Sequence, residues 1–132
     1  MTVKELSGLY YLRKLLIREQ ERVDAINSRL RSVGTNYSGM PHADSTDVHK
    51  LEDAVADLIR AKDNVERKRS EYRKEQARLE EYINSVEDPR MRYILSLRFI
   101  DLLSWRQIAR KVGGGNTEDG VRISVKRFLQ KK

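Results

Sequence analysis

From Leu51 onward an apolar residue returns at every seventh position: Leu51, Leu58, Val65, Tyr72, Leu79 and Val86. A repeat of this kind holds one stripe along one face of a helix, and such a stripe must be laid against another helix. The companion positions read as Val55, Lys62, Arg69, Gln76 and Ile83, so the seam is apolar at its ends and half-polar in the middle. Upstream, Leu9, Leu12, Leu16, Val23, Ile26, Leu30 and Val33 follow alternating steps of three and four, interrupted only at Glu19. Between the two runs, residues 34–45 (GTNYSGMPHADS) supply the glycine, asparagine, serine and proline that break helices. The pattern predicts a long antiparallel helical (coiled-coil) hairpin over residues 1–86 with a loop at 34–45. Its second helix outruns the first by about ten residues at 1.5 Å each. That excess must pack on the C-terminal part or on another subunit. A seam this polar makes a thin core, which points to a homodimer or higher oligomer through the hairpin, the alternative being a monomeric hairpin buttressed by the C-terminal helices.

Composition narrows the class to all-α. Charged residues make up 36% of the chain and aromatics 7%, which suits long solvated helices better than a β-sandwich. The chain has no cysteine, which removes disulfides, thiolate zinc sites and cysteine nucleophiles. No run of 18 apolar residues is present, and Met1–Tyr11 lacks the pattern of a signal peptide. A cytoplasmic protein is expected. The charge is unevenly placed. Residues 1–85 hold 16 Lys/Arg against 15 Asp/Glu, a net of +1, whereas residues 86–132 hold 11 against 5, a net of +6. Basic excess confined to one third of a chain points to a polyanionic partner.

That third, residues 87–132, reads as a separate helix-turn-helix domain. Asp88-Pro89 is an N-cap followed by proline at the first helical position. Met91, Ile94, Leu95, Leu97 and Ile100 give the next helix an apolar face, and a break follows at Asp101–Leu103. Ser104 and Gln107 form a capping box for WRQIARKV, which Gly113 ends. The turn GGGN leads to a last helix capped by Asn116 or Thr117. Val121, Val125, Phe128 and Leu129 are its buried stripe. Ala109 is small where that helix crosses. The turn is about two residues longer than is usual in a helix-turn-helix.

Opposite the buried stripe, a step of 100° per residue places Asp119, Gly120, Ile123, Lys126, Arg127 and Gln130, with Arg122 on the rim. Such a face enters a major groove with its N-terminal end first. Arg122 suits guanine O6/N7, Asp119 accepts from cytosine N4, and Ile123 covers a thymine methyl. Gly120 removes a side chain where the helix approaches closely. The base-contact candidates are Thr117, Glu118, Asp119, Gly120, Arg122 and Ile123. The phosphate candidates are Arg106, Arg110, Lys111, Lys126, Arg127, Lys131 and Lys132. Glu118 and Asp119 also suit the positive end of a helix dipole.

The stretch DPRMRYILSLRFIDLLSWRQIARKVGGGNTEDGVRISVKRFL resembles the fourth conserved region of bacterial sigma factors. It is more similar to small phage and prophage proteins that include the ArpU-type late transcription regulators, which share a signature ILSLRFIDLLSW…IA…GNT…VR…RFL. The segment MPHADSTDVHKLEDAVA is also typical of that group. The resemblance implies a sequence-specific double-stranded DNA-binding regulator of phage late genes. It implies that Glu118, Asp119, Arg122 and Ile123 face the groove, and that the Ile94–Ile100 helix contacts bacterial RNA polymerase. Sigma factors usually carry arginine or another polar residue where this chain has Glu118 and Gly120, so the preferred sequence differs. Nothing resembles the promoter-melting region, so a complete sigma factor is not expected.

Two other readings fit the same elements. Small terminase subunits of phage packaging motors join a helix-turn-helix to oligomerising helices, and a pure interaction module would turn its basic face to an acidic protein. No enzymatic activity, metal or cofactor is expected. His42 and His49, with Asp44 and Asp47 nearby, read as loop and helix-start residues, with Asp44, Ser45 or Thr46 as cap. The glycine turn lacks the Gly-Lys-Ser/Thr of a P-loop.

Overall fold

A computed structural model describes residues 1–37 and 45–131. Those residues are all-α, with no strand among them. In chain order the helices are α1 (Val3–Leu6), α2 (Gly8–Tyr37), α3 (Ser45–Asn84), α4 (Pro89–Leu95), a π-helical turn (Ser96–Ile100), α5 (Trp105–Val112) and α6 (Glu118–Gln130). None of the helices is long and apolar enough to cross a membrane, among the described residues. The expected break at Gly34 comes later, since α2 runs on to Tyr37. Residues 38–44 of the expected loop, with His42 and Asp44, lie outside the described residues, as does Lys132.

The chain divides into two compact units. One is Lys14–Ser70. In it α2 and α3 run antiparallel: Arg29 pairs with Asp57 at 3.6 Å, Ile26 shares a groove with Ala61, and Val23 shares one with Val65. Leu16, Glu19, Val23, Ile26 and Leu30 are the more sheltered positions of α2, as the 3-4 spacing requires. Glu19 fills the gap in the seam. Its side chain is only 17% exposed and lies 3.7 Å from Arg22. On α3 the companion positions differ from expectation. Val55 (42% exposed) and Lys62 face solvent, while Ala54 and Ala61 are buried. Beside Leu51 and Leu58 the stripe closes through the residue three positions on instead of four, because alanine lets two helix backbones approach more closely than valine or lysine does.

The second unit joins Met1–Arg13 to Glu71–Lys132, so the boundary expected at residues 86–87 does not divide the molecule. The reason lies in the core. Leu6 and Leu9 from the first helices and Leu79, Ile83 and Val86 from α3 are buried in one cluster with Met91, Ile94, Leu95, Leu97, Phe99, Ile108, Val121, Val125 and Leu129. The hairpin's ends are therefore part of the C-terminal core. Burying each of these large apolar side chains contributes about 1.5–3 kcal/mol, and a pair of helices as short as α5 and α6 cannot gather enough of them alone.

The π-helical turn is where the apolar pattern changes phase. Asp101 N–H donates to the Ser96 carbonyl, five residues back, at 3.0 Å. The wider turn lets Leu95, Leu97 and Phe99 all reach the core, and Ile100 packs partly against it. Beyond it Leu102 adopts φ +58, a left-handed conformation rare for leucine. Arg98 secures this corner. Its guanidinium stacks 4.4 Å over the Trp105 ring and donates to the Leu103 carbonyl at 2.9 Å. Burial pulls its pKa below the ordinary arginine value, partly offset by Tyr10.

Candidate nucleic-acid interface

Two short helices and the turn between them carry the candidate residues. α5 starts at a capping box: Gln107 N–H donates to Ser104 Oγ at 3.2 Å and Ser104 N–H donates to Gln107 Oε1 at 3.0 Å. Ile108 and Ala109 turn inward and are buried, leaving Arg106, Arg110 and Lys111 exposed. Val121, Val125 and Leu129 do the same for α6, leaving Glu118, Asp119, Gly120, Arg122, Ile123, Lys126, Arg127, Gln130 and Lys131 exposed. Ile123 is 42% exposed, an apolar side chain among charges.

The lengthened turn has a definite geometry. Gly113, Gly114 and Gly115 have φ of 67°, 63° and 78°, three consecutive positive values that side-chain-bearing residues rarely adopt. Asn116 closes it. Its backbone N–H donates to the Gly113 carbonyl at 3.2 Å, and its side-chain amide donates to the same oxygen. Its Oδ1 accepts from Arg90 Nη2 at 2.9 Å. The start of α4 thus holds the turn that sets where α6 begins. Sequence reasoning missed this link, since 26 residues separate the two partners.

Thr117, a base-contact candidate, is the N-cap of α6: its hydroxyl accepts from Gly120 N–H at 3.0 Å. Gly120 acquires a local cause as well. A Cβ there would stand 2.9 Å from Thr117 Oγ1, so a side chain at this position would require the cap to shift. Asp119 and Arg122 are joined by an ion pair at 3.2 Å, with side chains 78% and 57% exposed. Ser124 Oγ donates to the Gly120 carbonyl at 2.8 Å. Lys132, a phosphate candidate, lies outside the described residues.

No curated protein and no solved structure matches the chain. One family model does, over residues 41–118, more than half of the 132 residues. The match takes in α3, α4, the π-helical turn and α5, and ends on the first residue of α6. The chain therefore belongs to the family described as "Protein of unknown function (DUF1492)".

Proposed function

We propose that the protein binds double-stranded DNA sequence-specifically, with α6 in the major groove and α5 beside the phosphates. The observation that carries this reading is the outer surface of α6. It combines a guanidinium and an apolar side chain near its N-terminal end with Lys126, Arg127 and Lys131 further along. That is the division between base edges and backbone that groove readers need. Arg106, Arg110 and Lys111 on α5 extend the basic surface.

The resemblance of residues 88–129 to phage late-gene regulators supports transcription regulation as the role. In this reading the α4 and π-helical segment contacts RNA polymerase, and the protein resides on the bacterial nucleoid. Self-association through Lys14–Ser70 belongs to the same proposal. It is supported by Val48, Val55 and Ile59 of α3 and Leu15 and Ile17 of α2, large apolar side chains left in solvent.

The test is selection from random duplexes at about 150 mM salt, where non-specific binding is weak. The reading expects enrichment of one site. Arg122→Ala should then lose about 1–3 kcal/mol at that site and relax one base pair. Retention of all sequences alike, or an unchanged selected site with Arg122→Ala, counts against α6 as the reading helix.

A further inference from the structure

We infer that Asp119 is a positioning residue for Arg122, and not itself a reader of bases; the inference rests on the DNA-binding reading above. The two stand three residues apart on α6, so they share a face, and Asp119 Oδ1 accepts from Arg122 Nη2 at 3.2 Å. The pair lies in the first turns of the helix. There a carboxylate is favoured by the backbone dipole and is well placed to anchor a long side chain.

Three consequences separate positioning from reading. A guanidinium carries five N–H donors in a fixed planar fork. One donor on Asp119 orients the fork and leaves others for the two acceptors of guanine. Next, one Asp119 carboxylate oxygen is engaged by Arg122, which ties the orientation of the carboxylate to the arginine and not to a base. Last, the carboxylate offsets the arginine's charge. Arg122 then adds little to non-specific phosphate binding, and its contribution is reserved for a base with the right geometry. The neighbouring groups leave Asp119 little other employment. The Gly120 N–H is already capped by Thr117, and Arg122 is the one cation paired with Asp119 among the described residues.

The experiment measures binding of wild type, Asp119→Ala, Arg122→Ala and the double variant to the selected duplex. Duplexes altered at single base pairs and a random duplex complete the set, each across a salt series. Asp119 is exposed, so its removal leaves the core intact. Positioning predicts that Asp119→Ala lowers discrimination about fivefold at the same base pair that Arg122→Ala relaxes. It predicts stronger binding to random DNA, with a salt slope steeper by up to about one. In the Arg122→Ala background, Asp119→Ala should cause no further loss of discrimination. Relaxation at a different base pair makes Asp119 a reader and overturns the inference. So does unchanged discrimination, which reduces the residue to a partner of the helix dipole. Wild type that selects no site overturns the inference together with the DNA-binding reading, whereas a selective wild type with either of those Asp119 results overturns the inference alone.

Discussion

Replacing Gly113 by alanine isolates the strain that the glycine turn places on the chain. A Cβ on Gly113 meets nothing within 4 Å, so no collision contributes. What remains is the backbone: φ 67° with ψ −157° is a region essentially reserved for glycine, and forcing an L-residue there costs about 1–3 kcal/mol. Against this, alanine narrows the unfolded ensemble and returns about 0.4–1 kcal/mol. The expected net destabilisation is about 1–2 kcal/mol. The mirror-image residue reverses the sign. D-alanine adopts positive φ without strain, so at position 113 it should stabilise by about 0.4–1 kcal/mol. The assay is urea unfolding followed by fluorescence of Trp105, the single tryptophan, which sits beneath Arg98 in the same compact unit. Equal stability of the glycine, L-alanine and D-alanine proteins would refute the turn geometry, because only a chain free of that positive φ is indifferent to handedness.

Further outcomes follow from neighbouring contacts. Arg90→Ala removes the hydrogen bond to Asn116 and should weaken site-specific DNA binding while leaving helical circular dichroism unchanged; equal affinity would mean that α6 is placed without it. Ile94 is fully buried in the core, so Ile94→Ala should destabilise by about 2–5 kcal/mol, measured by the same tryptophan signal. A loss under about 1 kcal/mol would contradict its central position. Lys126→Ala should weaken binding to every duplex alike and lower the salt slope by about one; an effect confined to one sequence would make Lys126 a base reader.

The parts of the fold written in local signals were legible in the sequence. Asp88-Pro89, the Ser104–Gln107 box and Gly113 are read from a few adjacent residues, and each marks the helix end it signals. Val121, Val125 and Leu129 of the expected α6 stripe are buried as their spacing implies, while Phe128 is only partly buried. Choosing the partner stripe of α3 was harder, because Val55 is more apolar than Ala54. Close helix approach favours the smaller residue, and only packing reveals it. The π-helical turn has no composition cue, and it decides that Phe99 joins the core. The extent of the C-terminal unit was illegible for a different reason. Leu9, Leu79 and Ile83 continue heptad patterns seamlessly, yet they are buried, with Leu6, against α4, α5 and α6. Within the candidate site, the exposed residues of α6 came from the helical wheel. The close approach of Gly120 to the Thr117 hydroxyl did not, since it depends on the geometry of the cap.

The central claim is that the outer face of α6 meets DNA. Titrating isotope-labelled protein with its selected duplex, and following backbone and arginine side-chain resonances, tests it most directly. The account predicts the largest shifts at Asp119, Arg122, Ile123 and Lys126, smaller ones at Arg106, Arg110 and Lys111, and none specific to Lys14–Ser70. Shifts centred on Lys14–Ser70, with α6 unmoved, would contradict it.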